Sequence, residues 1–187
     1  MDIEELGIKG AWIARSPVHH DDRGYFREWF KSEELESAIG FQFSVEQANI
    51  SSSNKGVLRG IHYSLAKEGQ GKWVTCVSGS IWDVIVDIRP ASPTFKQWIG
   101  IELTGGSGDS IFVSGGLGHG FISLEDKSTV AYLLTSKYSP QEEFGISPLD
   151  PKLGITWPNT KLFLSEKDML APTLQELLDS GNLEKRL

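Results

Sequence analysis

The fold class is decided by residues 72–88, which read KWVTCVSGSIWDVIVDI. Two runs rich in β-branched and aromatic residues meet at Ser78-Gly79, and Arg89-Pro90 ends the second run. In the second run, apolar side chains occupy both alternating faces, which is typical of a strand that is covered on both sides. We therefore predict a hairpin of two largely buried strands, Lys72–Val77 and Ser80–Ile88.

Further short runs of the same kind follow along the chain, with turn-rich segments between them. Evenly spaced strands favour a sandwich or a barrel, and we predict an all-β protein. Short helices are predicted from Ser32 to Gly40 and from a capping box at Thr173 to Gly181. The loop-rich stretch from Pro148 to Pro172 is expected to pack back across the β core. The other predicted strands are Trp98–Leu103, Ser110–Val113, Gly120–Leu124 and Thr129–Thr135.

The composition is that of a packed globular protein, and we expect a single domain at residues 1–187. Of the 187 residues, 39% are hydrophobic and 23% are charged, without a low-complexity tract, which excludes disordered and fibrous classes. The formal net charge of −7 argues against a surface built for nucleic acid or anionic lipid.

Three features bear on the compartment. The single cysteine, Cys76, cannot form an intrachain disulfide, as expected in a reducing cytosol. The opening residues MDIEELGIKG lack the basic and apolar regions of a signal peptide, and no run reaches the roughly 18 apolar residues of a membrane span. We therefore expect a soluble, cytoplasmic protein with no nucleic-acid or membrane partner.

The densest group of reactive side chains is Arg59, His62 and Lys72. Arginine can hold a phosphate with two hydrogen bonds, histidine can move a proton near neutral pH, and lysine can stabilise a developing oxyanion. If His62 and Lys72 lie on neighbouring strands, the three groups can point into one cavity. The alternative is that both cations are solvated and His62 is a hydrogen-bonded core residue.

His119 follows a glycine-rich turn and raises the question of a metal site together with His62. Jelly-roll proteins of the cupin type hold metals with several histidines and a carboxylate. The chain has no His-x-His pair, and His19 and His20 stand beside Asp21 in an expected loop. Because three or four protein ligands are needed, we predict no metal site.

A series of short motifs runs from Gly10 to Pro172. They are DRGYFRE (22–28), QANIS (47–51), LRGIHY (58–63), GK (71–72), WDV (82–84), VDIR (86–89), SPTF (92–95), GHGF (118–121), Tyr132, YSP (138–140), WP (157–158) and SEKD (165–168). In order and spacing they resemble the nucleotide-sugar epimerases typified by dTDP-4-dehydrorhamnose 3,5-epimerase.

The resemblance implies a cupin-like jelly roll, a homodimer, no metal and no dissociable cofactor. It also implies catalytic roles on a dTDP-4-keto-6-deoxyhexose that is epimerised at carbons 3 and 5. His62 corresponds to the general base and Asp168 to its orienting partner. Lys72 corresponds to the cation at the enolate oxygen, and Tyr132 to the acid on the opposite face of the sugar ring.

The same resemblance assigns the remaining contacts with the substrate. Arg23 and Arg59 correspond to diphosphate ligands, and Phe26 and Tyr138 to residues against the thymine. His119 corresponds to a residue lining the sugar pocket. The others implied in substrate binding are Glu28, Gln47, Asn49, Ser51 and Lys167.

Three alternatives remain open at this point. Residues 73–77 and 147–151 look more like the branch that makes modified deoxysugars, in which some members epimerise only carbon 3 or carbon 5. A non-catalytic module could bind a nucleotide sugar on the same fold, although it would not need His62, Lys72, Tyr132 and Asp168. A metal-dependent cupin oxygenase is the third alternative.

Overall fold

The structure is a computed structural model that describes residues 1–66, 69–158, 161–181 and 183. Within these residues the helices are α1 (Ser32–Ile39), α2 (Glu166–Met169) and α3 (Leu174–Asp179). The strands are β1 (Asp2–Glu5), β2 (Ala11–Arg15), β3 (His19–Asp21), β4 (Gly24–Phe26), β5 (Gln47–Ser53), β6 (Leu58–Ser64), β7 (Lys72–Ser78), β8 (Ser80–Asp87), β9 (Trp98–Thr104), β10 (Asp109–Val113), β11 (Leu117–Ser123), β12 (Ser128–Leu134) and β13 (Glu143–Gly145).

Two antiparallel sheets face each other. One sheet has the order β1-β2-β10-β7-β12-β5, and the other has the order β13-β6-β11-β8-β9. From β5 to β13 the chain changes sheet at every connection except the one between β8 and β9. This alternation between two packed sheets is a jelly roll, and the predicted all-β fold class is confirmed.

The predicted hairpin at residues 72–88 is wrong in its pairing, although both strands exist. Strand β7 pairs with β10 and β12, whereas β8 pairs with β11 and β9. The turn at Gly79, with φ +73°, carries the chain from one sheet to the other. Burial on both faces shows that layers cover the strand above and below, but it does not specify which strands pair with it, and a two-residue turn is compatible with either path.

Apolar residues of alternate positions form the layer between the sheets. Val74 and Cys76 of β7 meet Ile81 and Ile85 of β8 in this layer. The opposite face of β7 carries Trp73, which packs under α1 in a second cluster. The C-terminal segment covers the outer face of the five-stranded sheet, as predicted for residues 148–172, of which 159 and 160 lie outside the described residues.

Both predicted helices are present. Gly40 ends α1 in a left-handed conformation, with φ +83°. Thr173 caps α3 and forms a complete capping box with Glu176, although the helix ends at Asp179 rather than at Gly181. No helix within the described residues is both long enough and apolar enough to cross a membrane.

Strands β6 and β11 approach closely at two glycines. A Cβ atom on Gly60 would lie 2.6 Å from the Cα of Gly120, and one on Gly120 would lie 2.8 Å from the carbonyl oxygen of Arg59. The register of the two strands shifts beside this contact, and His62 then lies directly opposite His119. The glycines therefore determine which side chains face each other at this point of the sheet.

Asp87 ends β8 as a fully buried carboxylate with its hydrogen bonds satisfied. Arg89 donates to it from Nε at 2.9 Å and from Nη2 at 2.8 Å. The hydroxyls of Ser92 and Thr94 donate at 2.5 Å and 2.6 Å. Burial alone would raise the pKa of Asp87, but these hydrogen bonds lower it to about 2.

Replacing Asp87 with asparagine should lower the free energy of unfolding at pH 7 by about 2 kcal/mol. A carboxyl whose folded pKa is depressed stabilises the fold above its usual pKa, and this stabilisation is lost as the pH falls toward the folded value. The free energies of unfolding of the wild type and of Asp87→Asn, measured with urea, should therefore become equal in acid. Asp22→Asn, at an exposed position, should unfold like the wild type. A difference that stays constant at every pH would contradict this account of Asp87.

Candidate active site

A cavity of about 470 Å³ opens between the two sheets. Strands β5, β7 and β12 contribute alternate residues to one wall, as expected for side chains on one face of a sheet. Strands β6, β11 and β13 form the other wall, and residues 163–168 close one side. The polar lining residues are Gln47, Asn49, Ser51, Arg59, His62, Gln70, Lys72, His119, Tyr132, Tyr138, Glu143, Ser165, Lys167 and Asp168.

His62 and Asp168 form a hydrogen-bonded pair at this cavity. His62 Nε2 lies 2.7 Å from Asp168 Oδ1, and the carboxylate is buried whereas the imidazole is about one-third exposed. Because an ionised carboxylate only accepts, Nε2 carries the proton in this bond and Nδ1 keeps its lone pair. The predicted partners His62 and Asp168 are therefore in direct hydrogen-bond contact, and Nδ1 is the ring nitrogen that this bond leaves free.

The C-terminal segment brings Asp168 to β6 across 106 positions of sequence. Phe163 pairs with the chain just before β6 through two backbone hydrogen bonds, to Gly56 and from Leu58, each of 2.9 Å. Ser165 then caps α2 by accepting from the Asp168 backbone N–H. Burial would raise the pKa of Asp168, but the hydrogen bond and charge of His62, with smaller contributions from Ser165, lower it.

Lys72 and Tyr132 lie on the sheet that faces His62. Tyr132 of β12 is opposite Val74 of β7, and Lys72 is opposite Leu134, so the inward-facing side chains of the two strands are neighbours. Both residues line the cavity. The structure thus brings His62, Lys72 and Tyr132 together, but from opposite walls and not from neighbouring strands of one sheet.

Lys72 is buried, and its amine is not fixed by an ion pair. Among the described residues no carboxylate oxygen lies within 4.0 Å of its nitrogen. Burial lowers the pKa of Lys72, and the carboxylates of Glu143 and Asp83 oppose this shift. A buried amine that is not paired with a carboxylate is available for an oxyanion of a ligand.

His119 forms a second histidine–carboxylate pair, which was not predicted from the sequence. Its Nε2 lies 2.9 Å from each carboxylate oxygen of Asp83, and both residues are buried. Asp83 occupies the inward face of β8 between Ile81 and Ile85, both of which are core residues. In the sequence, Asp83 could have been recognised as a candidate site residue, because a carboxylate on an otherwise apolar, buried face of a strand is unusual.

Glu143 also lines the cavity and was absent from the predicted site. It lies on β13, a three-residue edge strand that follows the YSP motif, and its carboxylate accepts from Gln70 Nε2 at 2.8 Å. A strand of this length has too few residues to show an alternating pattern in the sequence, so its inward residue could not be recognised.

The predicted binding residues of the chain's middle and end reach the cavity. Arg59 donates from Nε to Ser53 Oγ at 3.0 Å. Gln47 accepts from the Tyr138 backbone N–H at 2.8 Å and donates to Asn49 at 2.9 Å, so the three residues are connected. Ser51 Oγ is buried and has no partner within the described chain. Lys167 lines the cavity beside Asp168.

Arg23, Phe26 and Glu28 are not among the residues that line the cavity. They lie in and just after the β3–β4 hairpin, where the Phe26 ring is 66% exposed. Arg23 pairs with Asp21, and Glu28 pairs with Lys31 at 2.8 Å. Within one chain these three residues are therefore separate from the group around His62.

His19 and His20 lie on β3, on the exposed hairpin. The described residues contain no group of three or more His, Cys, Asp or Glu side chains that could hold a metal ion.

A jelly-roll domain that places a histidine–carboxylate pair opposite a tyrosine and a buried lysine carries the groups of an enzyme that moves protons at carbon. The family model described as dTDP-4-dehydrorhamnose 3,5-epimerase matches residues 5–176.

Individual relatives agree with this match. A dTDP-4-dehydrorhamnose 3,5-epimerase of Mycolicibacterium smegmatis is 45% identical over 98% of this chain and 90% of its own. The crystal structure of NovW, a 4-keto-6-deoxy sugar epimerase from the novobiocin cluster of Streptomyces spheroides, has a TM-score of 0.94 and 41% identity, with 97% and 91% coverage. ChmJ, a 3'-monoepimerase of Streptomyces bikiniensis in complex with dTDP-quinovose, has a TM-score of 0.91 and 38% identity, with 97% of each chain covered. The chain belongs to the dTDP-4-dehydrorhamnose 3,5-epimerase family, which is a family of isomerases.

Proposed function

We propose that this protein epimerises a dTDP-4-keto-6-deoxyhexose at carbons 3 and 5 and uses no cofactor. The observation that carries the proposal is the position of the His62–Asp168 pair on one wall of the cavity, with Lys72 and Tyr132 on the facing sheet. Inversion at carbon requires a base on one face of the sugar ring and an acid on the other, because one group cannot serve both faces.

His62 begins the reaction by removing a proton from a carbon next to the 4-keto group. Nδ1 accepts the proton, since Nε2 already donates to Asp168. The imidazolium that forms is stabilised by the Asp168 carboxylate, which also fixes the tautomer. The electron pair of the broken C–H bond moves into an enolate whose oxygen was the 4-keto oxygen.

Lys72 stabilises that enolate oxygen. A hydrogen on carbon is acidic enough to be removed only when the developing oxyanion meets a positive donor, and a buried ammonium is effective in this role. Tyr132 then donates its phenolic proton to the same carbon from the opposite face. The proton taken by His62 leaves to solvent and Tyr132 regains one, so the site returns to its starting state.

The nucleotide part of the substrate is held by residues around the mouth and along β5. Arg59 has no carboxylate within 4.0 Å among the described residues, so its guanidinium is available for the diphosphate. Tyr138, which is 57% exposed and held through Gln47, offers a ring face to the thymine. Asn49, Ser51, His119 and Lys167 contact the sugar or the diphosphate.

Arg23, Phe26 and Glu28 complete the site from a second copy of the chain. Phe26 projects an exposed aromatic ring from a hairpin that pairs with neither sheet. Strand β5 has an unpaired edge beside the cavity, and such an edge is a surface that a second copy can cover. This arrangement makes the protein a homodimer in which each cavity takes residues from both chains.

A second candidate is an enzyme that inverts one carbon only. The similarity to ChmJ, which is a 3'-monoepimerase, supports this reading, because the same base and acid can serve either reaction.

The test is proton NMR of dTDP-4-keto-6-deoxyglucose incubated with the protein in deuterated water. We expect the signals at carbons 3 and 5 both to be lost as deuterium replaces hydrogen, and the inverted product to accumulate. Loss at one carbon only would assign the protein to the second candidate. An unchanged spectrum would contradict both.

A further inference from the structure

The side-chain amide of Gln70 joins β13 to the residues just after β12 at the wall of the cavity. Its Nε2 donates to Glu143 Oε1 of β13 at 2.8 Å and to Ser136 Oγ, just after β12, at 2.9 Å. The residue is only 4% exposed. Because a carboxylate only accepts, the NH₂ group must face Glu143, and its two hydrogens serve the two acceptors.

The backbone next to Gln70 is fixed to the same end of β12. The Gly71 N–H donates to Thr135 Oγ1 at 2.7 Å, and the Thr135 N–H donates to the Gly71 carbonyl at 3.1 Å. Lys72 follows immediately as the first residue of β7. These hydrogen bonds therefore fix the backbone between Gln70 and Lys72, and with it the position of the Gln70 amide relative to the Cβ atom of Lys72.

Glu143 has no comparable support from its own strand. β13 is three residues long and pairs with β6 alone, at the edge of its sheet. A glutamate side chain has several rotatable bonds, and ordering it costs conformational entropy. The hydrogen bond from Gln70 restricts the Glu143 carboxylate to one place on the cavity wall.

We propose that Gln70 is a positioning residue of this enzyme, which fixes the Glu143 carboxylate where its charge supports the ammonium of Lys72. Both hydrogens of the Gln70 amide are used by Ser136 and Glu143, so in this proposal Gln70 acts through Glu143. The inference rests on the proposed function, because it assigns to Lys72 the role of the cation at the enolate oxygen.

The charge around Lys72 comes from several elements. Glu143 and Lys72 line the same cavity, and the carboxylates of Glu143 and Asp83 oppose the effect of burial on the pKa of Lys72. If the Glu143 carboxylate moves away, burial is less opposed and Lys72 loses its proton at lower pH. The other titratable groups that line the cavity with Lys72 are Arg59 and His62 of β6, His119 of β11, Tyr132 of β12, Tyr138, Lys167 and Asp168.

The test compares Gln70→Met, Glu143→Gln and the double variant with the wild type. The pH dependence of deuterium exchange is measured at saturating substrate, and the affinity for dTDP is measured separately. We expect kcat of Gln70→Met to fall by about 10- to 100-fold, since small displacements in a site have effects of this size. The alkaline limb of its profile should move to lower pH, and the affinity for dTDP should not change.

The double variant separates positioning from a general structural effect. Once Glu143 has lost its charge, Gln70 has no carboxylate to place, so Gln70→Met should have almost no further effect in the Glu143→Gln background. Ser136→Ala, which removes the other acceptor, should leave the alkaline limb unmoved. Gln70→Leu provides the same comparison if the methionine variant is poorly folded.

Two results would overturn the proposal. The first is an alkaline limb of the pH profile that stays in place in both Gln70→Met and Gln70→Leu. The second is a fold-reduction in kcat of the double variant that equals the product of the fold-reductions of the two single variants. Exchange by the wild type, measured first, reports on the proposed function, whereas the differences between variants report on Gln70.

Discussion

Replacing His62 with alanine should reduce deuterium exchange at the sugar by about 10²- to 10⁴-fold, the range expected when a general base is removed. The base is the first group to act, so exchange at carbon 3 and carbon 5 should fall together. Because His62 is not needed to hold the nucleotide, the affinity for dTDP should stay close to that of the wild type. NMR exchange rates and calorimetric titration with dTDP give the two quantities.

Two further variants make this result specific. Asp168→Asn should also slow exchange, because an amide does not stabilise the imidazolium as a carboxylate does. Glu102→Ala, at an exposed position of β9 that lies outside the cavity lining and the β3–β4 hairpin, should exchange like the wild type. Wild-type exchange rates in His62→Ala would contradict the assignment of the base.

Replacing Tyr132 with phenylalanine should separate proton removal from inversion. His62 can still remove a proton and Lys72 can still stabilise the enolate, so hydrogen at carbon is still replaced by deuterium. The deuteron then returns from the side of His62 and the configuration is retained. Formation of the inverted sugar should fall by about a hundredfold or more, as expected when a general acid is lost.

The measurement is the same NMR experiment, in which exchange is read from lost intensity and configuration from the ring coupling constants. Tyr63→Phe is the matched control. Tyr63 is buried in the outer cluster of the five-stranded sheet and does not line the cavity, so its hydroxyl is not placed to reach the substrate. The inverted product formed at the wild-type rate by Tyr132→Phe would contradict the role of Tyr132.

The sequence was informative where side chains alternate over long strands. The two faces of residues 80–87 predicted a strand covered on both sides, and β8 is buried at nearly every position. Its pairing could not be predicted, because the turn at Gly79 is compatible both with a hairpin and with passage to the facing sheet. Strands β1, β3, β4 and β13 are too short or too exposed to show a pattern.

Contacts in the site between residues far apart in the sequence could not be predicted from side-chain alternation. Asp168 was associated with His62 through a motif resemblance, since no periodicity connects residues 106 positions apart. Asp83 lies within the predicted strand Ser80–Ile88, but its contact with His119 could not be predicted, because it depends on the register of β8 against β11. Gln70 and Glu143 meet only through the packing of three separate elements.

The strands that carry the proton-transfer groups differ from strand β5, which carries three of the polar residues that line the cavity. His62, Lys72 and Tyr132 lie on strands with a hydrogen-bonded neighbour on each side, whereas Gln47, Asn49 and Ser51 lie on β5 at a sheet edge. Within one chain, moving an edge strand breaks one ladder of hydrogen bonds, and moving an internal strand breaks two. Mutations along β5 can therefore alter which sugar nucleotide fits, while the distance between base and acid is preserved. Duplicated copies of such a gene can diverge in the sugar they accept and inherit the same proton-transfer apparatus.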